Sequence, residues 1–248
     1  MLQNFESLVL IWLGLGFFTF ITLLKIPAPY GKFSKTNWGP MIPSQVGWIV
    51  MEIISPLALL YFFLNGNIEK TPTNITFISL WTLHYFNRSV IYPLRQNNPA
   101  QMPLIIAVLA FLFNVMNGYI NGTYFGSIQE YSAEYMSNWN FIVGVCLFII
   151  GAYINIKSDN ILLSLRSKSG EYKIPEGFMF RYVSFPNYFG EILEWMAFAI
   201  MTWSLAGLSF MIWTMANLVP RAIKGHQWYH SKFESYPKNR KAIFPFII

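Results

Sequence analysis

The sequence predicts an all-α integral membrane protein of seven transmembrane helices, amino terminus outside and carboxyl terminus cytoplasmic. Three observations carry that prediction. Only 11% of the 248 residues are charged, less than half of the roughly 25% of an ordinary soluble domain. The chain is 54% hydrophobic with a mean hydropathy of +0.40, and its apolar residues gather in runs of membrane-spanning length. Its lysines and arginines also segregate to one side of the spans. This composition excludes a disordered chain and argues against a cytosolic globule.

The apolar runs fall at about 5–24, 45–64, 73–93, 102–120 and 139–156. The first is read as a span and not a cleavable signal, because it has no basic leader and ends in Lys25-Ile26-Pro27 instead of small residues. A sixth run, about 191–224, would extend roughly 50 Å as one helix against a hydrocarbon core of about 30 Å. It is therefore read as two helices with a tight turn near Ser204-Leu205-Ala206-Gly207. The polar stretch 157–190 carries Gly170, Pro175, Gly177 and Pro186 as breakers and Tyr172, Phe178, Phe180 and Tyr182 as anchors. It is expected to be a cytoplasmic insertion folded against the helix ends of a single domain spanning 1–248.

Seven spans sort the charges. Lys25, Lys32 and Lys35 follow the first span, Arg88 and Arg95 end the third, and Lys157, Arg166, Lys168, Lys173 and Arg181 follow the fifth. Arg221, Lys224, Lys232, Lys238, Arg240 and Lys241 follow the seventh, so that only Lys70 lies on the opposite side with Glu6, Glu69, Glu130 and Glu134. A six-span arrangement would scramble this separation. The net charge of +6 is therefore a topological signal, and no nucleic-acid partner is expected. The lone Cys146 excludes an internal disulfide.

Glu52 sits near the middle of the second run, where an ionisable side chain costs of order 2.5–3.5 kcal/mol and normally faces a cavity or a partner. It reads either as a carboxyl kept protonated by desolvation, able to donate a hydrogen bond, or as a structural carboxyl bonded to a neighbouring helix. Tyr92 ends the third run and by itself reads as an interfacial tyrosine. Asn114, Asn117, Asn155, Ser158 and Asp159 form a polar stripe, with Asn155 and Asp159 on one helix face and Arg166 seven positions on. With Arg221, His226 and Tyr229 they converge on the cytoplasmic side. There they suit either a large anionic cofactor or interhelical bonds and lipid headgroups.

Other signals are weak. Gly14-Leu15-Gly16-Phe17-Phe18-Thr19 lacks the last glycine of a dinucleotide fingerprint and lies inside a span. His226 and His230 have helical metal spacing but no carboxylate between them, so no metal is expected. Of the three glycosylation-like tripeptides at Asn74, Asn87 and Asn121, two lie in or beside spans.

The order of several short stretches resembles the steroid 5α-reductase family (3-oxo-5α-steroid 4-dehydrogenase), in the form of a microbial-type member. The stretches are Trp48-Ile49-Val50-Met51-Glu52, His84-Tyr85-Phe86-Asn87-Arg88 through Tyr92, and Asn155-Ile156-Lys157-Ser158-Asp159 with Arg166. They continue through Tyr172-Lys173-Ile174-Pro175-Glu176-Gly177 and Asn187-Tyr188-Phe189-Gly190-Glu191-Ile192-Leu193-Glu194-Trp195. The tail adds His226-Gln227-Trp228-Tyr229 and Tyr236-Pro237-Lys238-Asn239-Arg240-Lys241-Ala242. The resemblance covers nearly the whole chain. It implies seven helices around a cavity, NADPH entering from the cytosol, and an apolar steroid-like enone as substrate. Glu52 and Tyr92 match the pair that hydrogen-bonds the 3-oxo group. Arg95, Asn155, Asp159, Arg166, Tyr172, Asn187, Glu191, Arg221, His226 and Tyr229 fall on motifs that line the cofactor pocket. Met51 stands where mammalian members carry glutamine, a departure shared with plant members that bears on steroid preference.

The resemblance and the residues support one chemistry. Hydride reaches the β-carbon of an α,β-unsaturated ketone while Glu52 and Tyr92 stabilise the charge developing on its oxygen. A related membrane reductase of a polyprenol, enoyl thioester or sterol double bond is the nearest alternative. A transporter is the non-enzyme reading, since intramembrane carboxylates also serve ion pathways. The expected setting is the lipid bilayer of a bacterial inner membrane or of the endoplasmic reticulum, with no obligate protein partner.

Overall fold

A computed structural model describes residues 2–96, 100–165 and 172–248. Arg166, a candidate cofactor ligand, lies outside the described residues. The predicted all-α class holds, with one small addition. The helices are α1 (Leu2–Lys25), α2 (Ser44–Leu64), α3 (Pro72–Phe86), the single turn α4 (Tyr92–Leu94), α5 (Leu104–Thr123), α6 (Trp139–Leu165), α7 (Pro186–Thr202) and α8 (Leu205–Lys232). Two three-residue strands, β1 (Met41–Pro43) and β2 (Gln101–Pro103), pair antiparallel with Ile42 opposite Met102. Among the described residues, α1, α2, α6 and the stretch Leu104–Ile128 that extends α5 are long and apolar enough to cross a bilayer.

The sixth apolar run divides as its length demands. Trp203 takes a left-handed conformation (φ 46°) and ends α7. Ser204 then caps α8 by accepting from the Gly207 amide at 2.9 Å. The break therefore falls at Trp203-Ser204, and Leu205–Gly207 form the first turn of α8, not the turn itself. The insertion is shorter than expected, because α6 runs on to Leu165 and α7 begins at Pro186. Within the described part of it, Phe178–Arg181 form one 3-10 turn. Tyr182, Ser184 and Phe185 then bond the backbone of Lys241 and Ala242 in the carboxyl-terminal tail.

The chain divides into two compact units, 1–9 with 28–142 and 10–27 with 143–248. In the first, α2 packs on α5 through glycines spaced one turn apart. A Cβ at Gly118 would meet the Ala58 Cβ at 2.6 Å, and one at Gly122 would meet the Leu59 carbonyl at 2.6 Å. Lipid offers no hydrophobic drive for helix pairing, so close backbone approach at small residues supplies the dispersion energy. A buried aromatic group of Phe77, Phe125, Tyr131 and Phe141 closes the same unit. In the second unit the same device joins α6 to α7. A Cβ at Gly190 would stand 2.5 Å from the Asn155 amide nitrogen, and one at Gly151 would stand 2.7 Å from the Gly190 carbonyl. The core of this unit gathers Phe185, Ile192, Val219, Ala222, Tyr229, Tyr236 and Ile243.

Candidate functional site

In the first unit, α2 presents Glu52, half-buried, beside the buried Met51. The Met51 carbonyl accepts from the Asn114 amide of α5 at 2.6 Å, and the Asn114 oxygen accepts from the Tyr85 hydroxyl of α3 at 3.3 Å. One turn of α3 before Tyr85, the Trp81 indole donates to the Ser55 hydroxyl at 3.1 Å. Glu52 and Ser55 are three apart and share a helix face. The Trp81-Tyr85 face of α3 is thus keyed to the part of α2 that carries the carboxyl.

Tyr92 follows a π-helical segment, Asn87–Ile91, in which the Tyr92 amide bonds the Asn87 carbonyl five residues back. Pro93 explains the irregularity: it has no amide to give Ser89 four residues earlier, and its ring crowds that carbonyl. The wide turn leaves the Arg88 guanidinium over the Tyr92 ring at 4.9 Å and over the Trp48 ring of α2 at 5.5 Å. Arg88 is 9% exposed, so these rings face a buried cation. Glu52 and Tyr92 share a unit, and α2 packs against both the π segment and α4. Arg95, just past α4, is exposed. A cavity of about 610 Å³ in this unit is lined by Asn4, Asn65, Asn67 and Tyr119. It lies at the far end of α2, roughly 20 Å along the helix from Glu52.

In the second unit the structure brings three candidates together. The Asn155 amide donates to the Asn187 carbonyl at 2.9 Å, and the Asn187 amide donates to the Asp159 carboxylate at 3.0 Å. All three are buried. Asn187 lies in the first turn of α7, which begins at Pro186 after a residue that offers no side-chain cap. Two polar atoms there have no hydrogen-bond partner among the described residues: the Ser158 hydroxyl, fully buried, and the Asn187 side-chain oxygen. Orphaned buried groups of this kind cost about 1–3 kcal/mol each, and a ligand bearing hydroxyl or carboxamide groups removes that cost. Sequence reading placed Ser158 in the polar stripe without giving it a role. Its burial, one residue before Asp159, is what singles it out.

The remaining candidates of this unit spread from that cluster. The Arg221 side chain donates to the Tyr188 hydroxyl at 3.1 Å, and the Tyr188 ring stacks on Phe185 at 5.2 Å. Glu191 lies one turn into α7 and is half-buried. Tyr172 is exposed, with its ring edge against Trp228 at 4.9 Å. Tyr229 is buried and stacks on Tyr236 at 5.1 Å; its burial pushes the phenol above its ordinary range. The His226 Nδ1 lies 2.6 Å from the Ser184 hydroxyl. Burial holds its imidazole below the ordinary histidine range, helped by His230 and Lys241. Among the described residues, no three histidines, cysteines or acids assemble as a metal site.

Two findings from known proteins join this geometry. Residues 100–248 match the family model described as 3-oxo-5-alpha-steroid 4-dehydrogenase. The chain is 43% identical to the steroid 5-alpha-reductase DET2 of Arabidopsis thaliana, over 92% of this chain and 91% of that one. It is 37% identical to the 3-oxo-5-alpha-steroid 4-dehydrogenase 1 of Rattus norvegicus, covering 94% and 92%, and 36% identical to the same-named human protein, covering 88% and 85%.

Proposed function

The chain belongs to the 3-oxo-5-alpha-steroid 4-dehydrogenase family, and from that premise we propose that it reduces the 4,5 double bond of 3-oxo-4-ene steroids to 5α-steroids with NADPH. The relatives' names supply the reaction class. The observation that carries the cofactor assignment is the Asn155-Asp159-Asn187 cluster with its two orphaned polar atoms. A cluster of buried amides, one carboxylate and an unpartnered hydroxyl suits the ribose hydroxyls or the carboxamide of a nicotinamide nucleotide. It does not suit a phosphate, which Asp159 would repel. The phosphates fall instead to cations: Arg221, and by family resemblance Arg166 and Arg95, whose planar donors match phosphate bidentately. Tyr172, Glu191, His226 and Tyr229 complete the proposed nucleotide contacts.

When bound, the dihydronicotinamide supplies a hydride to the β-carbon of the enone. The protein's own task is the carbonyl. Tyr92, and Glu52 when protonated, donate hydrogen bonds to the oxygen as it gains negative charge. In a site closed to water, such preorganised donors are each worth roughly 3–4 kcal/mol in the transition state. Arg88 adds a fixed positive charge beside the Tyr92 ring. The enolate then takes a solvent-derived proton at the α-carbon, which completes the addition of hydride and proton across the double bond.

The position of Tyr85 favours a second assignment of the phenol. It is 5% exposed and linked through Asn114 to the carbonyl of Met51, next to Glu52. In that reading the Tyr85 hydroxyl turns its one proton from Asn114 to the substrate oxygen, and Tyr92 seats Arg88. Purified protein mixed with NADPH and a panel of 3-oxo-4-ene steroids, enoyl thioesters and polyprenols tests the proposed reaction. A steroid-dependent loss of NADPH absorbance giving a 5α-product is expected; acceleration only by a thioester or polyprenol would replace the substrate.

Seven spans with the basic loops and the carboxyl terminus cytoplasmic, in a bacterial inner membrane or the endoplasmic reticulum, remain the proposed topology. They rest on the charge separation read from the sequence.

A further inference from the structure

Ser184 is 2% exposed, and its hydroxyl stands 2.6 Å from the His226 Nδ1 and 2.6 Å from the Tyr236 hydroxyl. Its backbone is pinned by the bond from its amide to the Lys241 carbonyl at 2.8 Å. Tyr236 is 3% exposed and stacked on Tyr229. The three side chains form a buried line of hydrogen bonds that ends on one imidazole nitrogen. The other nitrogen, Nε2, has no hydrogen-bond partner among the described residues.

The line can be polarised in two directions. If Nδ1 carried the proton, it would donate to Ser184, Ser184 would donate to Tyr236, and the Tyr236 hydroxyl would be a buried donor with no acceptor among the described residues. Such an orphan costs about 1–3 kcal/mol. If the phenol donates to Ser184 and Ser184 donates to Nδ1, both buried hydroxyls are satisfied, and the one open donor is the Nε2–H of the half-buried ring. The phenol is then the terminal donor and the imidazole, the strongest acceptor, the terminus. The proton of the neutral ring must then sit on Nε2.

We propose that Tyr236 and Ser184 are positioning residues that lock His226 in the Nε2-H tautomer, so that it offers a hydrogen-bond donor to an acceptor oxygen of the bound nucleotide. The nucleotide half of this inference rests on the cofactor reading above. The tautomer half does not. A second hydrogen bond that fixes a histidine's tautomer is the same device that orients histidines at metal and catalytic centres. It also gives a role to the bonding of the tail at Lys241-Ala242 to the segment before α7: that pairing holds Ser184 at the meeting point of Tyr236 and α8.

The chain has three histidines, so selective 15N labelling of imidazoles in the full-length detergent-solubilised protein resolves them, with His226→Asn assigning the signal. In nucleotide-free wild type, Nδ1 should appear as the bare nitrogen and Nε2 as the N–H. Ser184→Ala should lose that preference, and Ser184→Thr, which keeps the hydroxyl, should restore it. NADPH titration should give a Kd raised about tenfold in Ser184→Ala and near wild type in Ser184→Thr, with kcat little changed. A wild-type ring protonated on Nδ1, or a Ser184→Ala ring still locked on Nε2, overturns the relay. Wild type that binds NADPH with variants that bind it equally well overturns the donor role and leaves the cofactor reading standing. Wild type with the expected tautomer but no NADPH binding overturns the cofactor reading itself, and the donor role with it.

Discussion

Replacing Gly190 with alanine tests whether the α6–α7 contact holds the Asn155-Asp159-Asn187 cluster in shape. The new Cβ would lie 2.5 Å from the Asn155 amide nitrogen, 2.7 Å from the Gly151 carbonyl and 3.0 Å from the Asn155 Cα. All three are backbone atoms and cannot rotate away. Reaching an ordinary contact of 3.4 Å needs the helices to part by about 0.9 Å, and the Asn155-Asn187 bond of 2.9 Å would open to roughly 3.8 Å, past the useful limit. Overpacking costs about 1–3 kcal/mol and the lost bond about 1 kcal/mol. Alanine returns about 1 kcal/mol of helix propensity, which leaves roughly 1–3 kcal/mol of destabilisation. At about 2–4 °C per kcal/mol, the Tm in detergent should fall by several degrees, and the Kd for NADPH should rise because Asn187 and Asp159 lose register. Gly14→Ala is the control, since nothing lies within 4 Å of its Cβ; its Tm should hold or rise slightly. A Gly190→Ala protein as stable as Gly14→Ala, with an unchanged Kd, would refute the packing argument.

Glu52→Gln should cut steroid turnover at least tenfold, the loss of about 1.4 kcal/mol of transition-state stabilisation, with the folded fraction unchanged by size exclusion. Of Tyr85→Phe and Tyr92→Phe, the one that loses turnover by a similar factor identifies the phenol donor, and near-normal rates in both would remove phenols from the mechanism. Arg166→Ala should raise the NADPH concentration needed for half-maximal rate while leaving the steroid requirement unchanged, read from initial rates with each substrate varied in turn. The depressed pKa of His226 also fixes a pH dependence. The unfolded chain takes up this proton near pH 6.5 and the folded chain only at lower pH. Its contribution to stability should therefore be level above 6.5 and fall as pH drops below it. His226→Asn should flatten that part of a Tm–pH profile.

The helices were legible because bilayer thickness sets a length that apolar runs must meet, and the 34-residue run could only be two helices. Its turn was read a few residues late, since the left-handed residue is Trp203 and nothing in a tryptophan announces that conformation. Glycine marks such positions because it lacks a Cβ. The strand pair at Met41 and Gln101 was missed because three residues are too few to show alternation. The insertion was overdrawn at both ends because Lys157, Ser158 and Asp159 look like loop residues, whereas their helix continues beyond the apolar stretch to Leu165. Helix pairing was also hidden. Gly118 and Gly122 stand four apart in plain view, but which helix they admit is settled only by packing.

The proposed cofactor cluster was the more readable part of the candidate site, because Asn155 and Asp159 share a regular helix and their spacing alone puts them on one face. That Asn187 joins them depends on where α7 starts, and Pro186, common in a first helical turn, is the residue that fixes it. The proposed carbonyl end reads less easily for a physical reason. Helical phase counted forward from His84 assumes 3.6 residues per turn, but Pro93 forces a π turn over Asn87–Ile91 and sets back the phase of everything after it. Tyr92 therefore no longer occupies the face that simple periodicity gives it, and it sits under Arg88. Tyr85 precedes the irregularity, keeps the phase of Trp81 and its bond to Ser55, and so stays keyed to the turn of α2 that carries Glu52. If the π turn is what diverts Tyr92, Pro93→Ala should restore a regular helix there, remove the Arg88–Tyr92 stacking and lower turnover even though no donor to the substrate has been deleted. Unchanged turnover in Pro93→Ala would mean that the phase of this segment has no part in the chemistry.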